Sequence, residues 1–303
     1  MKNWSMNNVE SLSDKTIVVT GANAGLGYET TLALAKKEAK VVMACRNASK
    51  AEKAKQEILK KAPKAKLEIM TLDLSSLKSV RAFANNFLKT HKRLDVLVNN
   101  AGVMIPPYSA TEDNLELQMA ANYFGHFVLT GLLLDVLNNT AGARIVMLSS
   151  KAHESGNIDF DNLNSEKSYS KMGAYSQSKL ACLMHAQELN RRLLVAGSKI
   201  IAVAAHPGAS NTDLARHTPK ALYYILYPII PLFTHKPENA VLPQLMAALD
   251  TDVQGGDYFG PTGFGDMKGK PGKVTAKPHA YIESVAKKLF DVSEKLTAFS
   301  YKF

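Results

Sequence analysis

Short apolar runs alternate with longer stretches of helical period along most of the chain. Residues 15–20, 40–46, 67–72, 94–98, 143–148 and 199–205 are largely apolar and mostly rich in β-branched side chains. Runs of that length and composition predict buried strands. Between them, apolar positions recur every three to four residues, which predicts helices. One helix follows the first run, through Leu32, Ala33 and Ala35. A second covers 48–62, and a third begins at Ser75 or Ser76 and carries Phe83 and Phe87. Residues 112–138 read as one long helix. Residues 173–195 read as another, with Leu180, Leu183, Met184, Leu189 and Leu193 on its buried side. Helices are also expected over 237–249 and 281–296, a last strand over 255–259, and a loop over 261–278, where Gly, Pro and Lys concentrate. Strand and helix in alternation predict a parallel sheet covered on both faces, an α/β doubly wound fold. No longer repeat and no second domain shows, so one domain is expected over 1–303, with an extension at 1–13 and a C-terminal loop and helix at 261–303.

In such a sheet, ligands sit beyond the carboxyl ends of the strands, so the residues there are the candidates for chemistry. The first run leads into Gly21-Ala22-Asn23-Ala24-Gly25-Leu26-Gly27 and then a helix start. Strand, glycine-rich turn and helix set backbone N–H groups against a pyrophosphate. Gly21 permits the tight turn, Gly25 lets the backbone approach phosphates, and Gly27 allows close packing. The second run ends at Arg46 with no acid beside it. An acid there holds a ribose 2′-hydroxyl, whereas Arg suits a 2′-phosphate, so Arg46 favours NADP(H) over NAD(H); the alternative is an Arg46 that merely faces solvent. Asp73, at the third strand end, is either an adenine partner or a helix cap. The later runs end in Asn99-Asn100-Ala101-Gly102, in Ser149-Ser150, and in His206-Pro207-Gly208. A serine at a strand end is a candidate hydroxyl donor or an ordinary loop residue. Asn122 is polar within an apolar stretch, so it needs hydrogen-bond partners, structural or functional. Tyr175 and Lys179, four residues apart, share a helix face. An ammonium held near a phenol favours the phenolate, which makes such a pair usable as acid or base.

Charge changes the picture in one place. The formal net charge is +10, and residues 36–66 hold eleven Lys or Arg against three Glu. Such a run reads as solvated helix faces, as an anionic-surface or nucleic-acid patch, or as a field near a phosphate-bearing cofactor. No nucleic-acid motif accompanies it, so no nucleic-acid partner is expected. The two cysteines, Cys45 and Cys182, have neither disulfide nor metal spacing, which suits a reducing compartment. The longest apolar stretch, 222–233, is interrupted by Pro228 and Pro231 and is too short for a bilayer span of ~20 residues.

The joint order Thr20-Gly21…Gly25…Gly27, Asn99-Asn100-Ala101-Gly102, Asn122, Ser150, Tyr175…Lys179 and Pro207-Gly208…Thr212 closely resembles the short-chain dehydrogenase/reductase superfamily, in the subtype termed classical. The likeness covers about residues 14–260. The runs Ala44-Cys45-Arg46-Asn47, Asn122-Tyr123-Phe124-Gly125-His126-Phe127 and His206-Pro207-Gly208, with the tail from Gly260-Pro261 through Gly269-Lys270-Pro271, are similar to its retinol-dehydrogenase-like branch. This resemblance implies a Rossmann-type sheet of about seven strands and a catalytic tetrad of Asn122, Ser150, Tyr175 and Lys179, with Ser150 chosen as the second of its pair. It implies Gly21, Gly25, Leu26 and Gly27 at the pyrophosphate, and Asn23 and Arg46 at the 2′-phosphate. Asp73 and Leu74 fall at the adenine, and Asn100, Ala101 and Gly102 at the adjacent ribose, which Lys179 also holds. Pro207, Gly208 and Thr212 fall at the nicotinamide.

The implied activity is reversible hydride transfer between NADP(H) and a small-molecule carbonyl/alcohol pair, with an NAD-linked alcohol dehydrogenase or a non-catalytic NADP(H)-binding protein as alternatives. The resemblance fixes no substrate, and a lipophilic aldehyde or ketone is expected from the apolar stretch 222–233 read as a lid. Asn122 is expected to fix a water that relays protons to Lys179. Ser210 departs from the β-branched residue usual two positions after the Pro-Gly glycine. Residues 209–235 are expected to form a substrate lid, with 222–233 touching a membrane surface or instead forming a core helix or subunit interface. Relatives often pair through the helices holding Asn122 and Tyr175, so a homo-oligomer is one expectation. The N-terminus lacks the apolar anchor of several vertebrate relatives, which leads to the expectation of a soluble, cytoplasmic protein.

Overall fold

Eight strands form one sheet in the order β3-β2-β1-β4-β5-β6-β7-β8 in a computed structural model that describes residues 4–208 and 235–303. They are β1 Thr16–Thr20, β2 Lys40–Cys45, β3 Lys66–Thr71, β4 Val96–Asn99, β5 Arg144–Leu148, β6 Ile201–Ala205, β7 Tyr258–Pro261 and β8 Pro271–Lys273. All neighbours run parallel except β7 and β8. The eighth strand corrects the expectation of about seven. It lies in the Gly- and Pro-rich stretch expected to be a loop, where three residues suffice to pair antiparallel with the β7 edge.

Side-chain alternation divides the core in two. Val18, Val42, Leu97, Ile145, Met147, Ala202 and Ala204 pack on one face of the sheet. Ile17, Val19, Val41, Met43, Val96, Val98, Val146, Leu148 and Val203 pack on the other. With a period of two, consecutive residues must face opposite ways, so strands buried on both faces are apolar throughout. The helices α1 Gly25–Lys36 and α2 Ala48–Lys61 cover the second face, and α3 Leu77–Thr90 covers the first. The remaining described helices include α4 Leu117–Met119, α5 Gly125–Leu132, α6 Leu134–Asn138, α7 Lys171–Val195, α8 Pro237–Ala240, α9 Leu242–Leu249 and α10 Glu283–Leu296.

The stretch 112–138 is not one helix. Glu116 caps the start of α4 by accepting from Gln118 N and Met119 N, a π-turn follows over Ala120–Phe124, and α5 ends at Leu133 before α6. Residues 118–130 are all buried, so no polar face marks the helical register and a widened turn leaves no trace in the apolar pattern. Gly125 closes the π-turn against the loop after β3; a side chain there would overlap the Leu74 carbonyl. Thr212, the apolar stretch 222–233 and almost all of the expected lid at 209–235 lie outside the described residues; only His235 of it is described.

The C-terminal helix lies on α7. Arg192 bonds Glu188 on its own helix and Asp291 on α10, and its guanidinium stacks 3.9 Å above the Phe290 ring. Beyond α10, the Tyr301 hydroxyl donates to the Phe127 carbonyl of α5 at 2.6 Å. This contact covers part of the outer surface of α5 and α7, the helices through which copies were expected to associate.

Burial pushes His126 down to about 4 and His185 and His206 each to about 3, so all three are neutral in the folded protein. In the unfolded chain they bind protons below about 6.5. Stability is therefore present above about pH 6.5 and is lost as pH falls toward 4, by about 1.4 kcal/mol per pH unit for each histidine at the steepest. Calorimetry between pH 8 and 4.5 should show the melting temperature level above neutrality and falling steadily below about 6.5; a flat profile to pH 4.5 would contradict neutral burial.

Candidate active site

The carboxyl ends of β1 to β6 open onto a cavity of about 630 Å³. Its walls include Gly21, Asn23, Gly25, Leu26 and Gly27 after β1, Arg46 after β2, Asp73 and Leu74 after β3, Asn100, Ala101 and Gly102 after β4, Ser150 after β5, Tyr175 and Lys179 from α7, and Pro207 and Gly208 after β6. Every described residue expected at the site except Asn122 borders it, and Asn122 lies directly behind. Strand order reverses between β1 and β4, the switch point where doubly wound sheets take ligands.

The turn after β1 fits a pyrophosphate on three counts. A side chain at Gly27 would overlap the Gly21 carbonyl and the Asn100 side chain, so β1, α1 and the β4 turn close up only on a glycine. Gly25 has φ +53° and open space where a side chain would project, room that a bound phosphate can use. The first turn of α1 has no side-chain cap from Ala24, so its N–H groups and positive dipole end are available to an anion. At the β2 end, Arg46 and Lys50 are exposed and border the same cavity. Asn47 caps α2 by accepting from Lys50 N at 2.9 Å, which fixes the backbone between these two cations. Asp73 does not cap α3; Ser76 does. The Asp73 Oδ1 instead accepts from Ser75 N and Ser75 Oγ, so the carboxylate is held in a local turn at the cavity wall. Cys45 is buried and free, and burial pushes its thiol up to about 11, so it stays protonated.

The two serines at the β5 end separate cleanly. Ser149 is buried and donates to the Lys179 carbonyl at 2.8 Å, tying α7 to the strand end. Ser150 caps the short helix Lys151–Ser155 by accepting from Ala152 N, which leaves its hydroxyl proton to donate into the cavity. Tyr175 is half-buried, one helical turn before the buried Lys179, whose Nζ lies 5.8 Å from the centre of the Tyr175 ring. Lys179 Nζ donates to the Leu148 carbonyl at 3.1 Å, which uses one of its three protons. Asn122 is committed: its Oδ1 accepts from Val103 N, and its Nδ2 donates to the Val103 carbonyl and to Ser178 Oγ. Both of its amide protons are thus spent on protein.

Sequence reasoning missed Lys50, Asn47 and Val103 as cavity residues, and gave Thr20 no role. Lys50 was counted within the basic run, but a charge count cannot say which lysines of an amphipathic helix face a cavity. Thr20 was visible as the residue before the glycine turn. Its hydroxyl accepts from Asn100 N and Ala101 N, each at 2.9 Å, and so joins the β1 and β4 turns.

Fold and cavity together define a dinucleotide-dependent oxidoreductase of the doubly wound α/β class. The chain belongs to the short-chain dehydrogenase family, whose model, described as short chain dehydrogenase, matches residues 15–222. It is 41% identical over 296 residues to retinol dehydrogenase 14 of Mus musculus, covering 92% of this chain and 85% of that protein. It is 40% identical over 293 residues to retinol dehydrogenase 13 of the same organism, covering 94% and 84%. Among solved structures, an uncharacterized protein from Mycobacterium Paratuberculosis superposes with a TM-score of 0.84 at 36% identity, with all of both chains covered. The protein is therefore an oxidoreductase that acts on a CH–OH/C=O pair with NAD(P), in the retinol-dehydrogenase-like branch.

The division between the serines is testable by reading turnover beside stability. Ser149→Ala, which removes a buried hydrogen bond, should cost about 0.5–1.5 kcal/mol of stability in urea melts. Ser150→Ala removes the cap of Lys151–Ser155, at about 0.5–2 kcal/mol, and should also lower turnover at least about tenfold more than Ser149→Ala does; a larger loss of turnover for Ser149 than for Ser150 would reverse the assignment.

Proposed function

We propose that the enzyme uses NADP(H) and interconverts a lipophilic aldehyde or ketone with its alcohol. The observation that carries the cofactor preference is the β2 end: Arg46 and Lys50 border the cavity there, and Asp73 is the one acid among its described lining residues. Two cations at that point suit a 2′-phosphate, with Asn23 beside them. Asp73 and Leu74 would hold the adenine, Asn100, Ala101 and Gly102 the neighbouring ribose, and Pro207 and Gly208 the nicotinamide end, to which the resemblance alone adds Thr212. The bound cofactor supplies or accepts the hydride. The Ser150 hydroxyl donates to the substrate carbonyl oxygen, and the Tyr175 hydroxyl gives its proton to the same oxygen during reduction. Lys179 places a positive charge beside Tyr175 and holds the cofactor ribose. Asn122 acts from behind, by fixing Val103 and Ser178; the free lone pair on its Oδ1 is the acceptor left for a water that passes protons to Lys179.

Substrate lipophilicity draws support from Val103, Met104, Ala121 and Leu148 in the cavity wall and from relatives named for retinol. Two free, buried cysteines suit a reducing compartment, and we assign the protein to the cytoplasm. No described helix is long and apolar enough to cross a membrane.

Tyr175→Phe should lower turnover by about 10²-fold or more while cofactor affinity is retained; survival of over about a tenth of the wild-type rate would move the acid elsewhere. Arg46→Ala and Lys50→Ala should each weaken NADPH at least about fivefold more than NADH, read by fluorescence titration. Tighter NADH than NADPH in the unaltered protein would make the enzyme an NAD-linked alcohol dehydrogenase instead. A carbonyl panel decides the substrate class, and faster reduction of small polar carbonyls than of long-chain or aromatic ones would end the lipophilic reading.

A further inference from the structure

His126 lies on α5, buried behind the tetrad and outside the cavity lining. Its Nδ1 is 2.9 Å from the Asn122 carbonyl, a group that can only accept, so Nδ1 carries the proton. Nε2 is then an acceptor, and it lies 2.9 Å from Thr20 Oγ1, whose hydroxyl donates to it. Burial, reinforced by the nearby charge of Lys179, outweighs the Asn122 carbonyl and keeps the ring neutral, so one tautomer serves both bonds. The Thr20 oxygen meanwhile receives Asn100 N–H and Ala101 N–H. With its proton directed at His126, both lone pairs of that oxygen are left for the β4 turn. The other acceptor near Thr20, the Val98 carbonyl, is farther away at 3.4 Å. The Asn122 carbonyl belongs to the π-turn, where it takes side-chain donors: His126 Nδ1 and, at 3.2 Å, the weaker donor Cys182 Sγ.

We propose that His126 is a positioning residue that ties the cofactor cradle to the tetrad. Through Thr20 it orients the Asn100–Ala101–Gly102 turn. Through the Asn122 carbonyl it fixes the residue whose carboxamide grips Val103 and Ser178 beside Lys179. Gly102 is where the two arms meet, since a side chain there would contact both Asn122 Oδ1 and Lys179 Nζ. This inference rests on the proposed cofactor and tetrad positions.

The two arms can be cut separately, because an Asn amide reaches about as far as Nδ1 of a histidine and a Gln amide about as far as Nε2. His126→Asn keeps a donor for the Asn122 carbonyl and loses the acceptor for Thr20. His126→Gln does the reverse. Each variant is measured for kcat on a carbonyl that the unaltered enzyme reduces, for NADPH affinity by fluorescence, and for melting temperature. His126→Gln should lose about five- to tenfold in kcat, more than it loses in cofactor affinity. His126→Asn should lose about five- to tenfold in cofactor affinity, more than in kcat. Thr20→Val combined with His126→Asn should weaken NADPH no further than Thr20→Val alone, since Thr20→Val already removes the bond that His126→Asn breaks, together with those to Asn100 and Ala101. Equal losses of kcat and affinity in both variants that merely follow the melting temperature, no loss in either, or full additivity with Thr20→Val would each overturn the proposal. Absence of turnover in the unaltered protein with either cofactor would refute the proposed activity alone, because the affinity measurements and the Thr20 cycle still test His126.

Discussion

A buried parallel sheet ends all its strands on one side, and there the backbone loses its ladder partners while still out of water. Every such group must find a hydrogen bond or cost about 1–3 kcal/mol. In this protein the residues that meet that requirement are those that build the site. Asn100 Nδ2 donates to the Thr20 carbonyl, Lys179 Nζ to the Leu148 carbonyl, and Thr20 accepts the Asn100 and Ala101 N–H groups. Polar side chains gathered to close the strand ends are thereby held in fixed positions around one cavity, and the protons and lone pairs left over are what the proposed chemistry draws on.

The long helix α7 follows the same logic. It carries Ser176, Gln177, Ser178 and Lys179 in succession, all buried. Four consecutive buried polar residues would be costly without partners. Ser176 meets Ser155, Gln177 meets Asp159 N and the Leu163 carbonyl, Ser178 meets Asn122 and the Tyr175 carbonyl, and Lys179 meets Leu148. Tyr175 stands one turn earlier and half-buried, at the boundary between this satisfied interior and the cavity. The helix is buried and hydrogen-bonded where it touches the sheet and faces the cavity at Tyr175.

Much of this was legible in the sequence because it is local. A buried strand, a glycine turn and a helix start are contiguous at 15–36, and the Tyr175–Lys179 spacing fixes a shared helix face. Apolar runs at regular intervals fix the α/β alternation. The features that were missed depend on partners far along the chain. The π-turn at 120–124 runs into Gly125, which has no side chain to overlap the Leu74 carbonyl far along the chain. The β8 strand is set by a free β7 edge. The choice of Ser150 over Ser149 needed a resemblance, because two adjacent serines differ only in which one finds the Lys179 carbonyl.

By itself, the sequence determined the periodicities, the glycines that allow the tight turn after β1, and the order of polar residues at strand ends. These follow from residue geometry within a few positions. Only the tertiary structure decided which hydroxyl is spent and which is free, which lysines of the basic run reach the cavity, and that a neutral His126 joins Thr20 to Asn122. Each of those depends on a hydrogen-bond partner or a neighbouring surface dozens of residues away, and partners at that distance are chosen by packing.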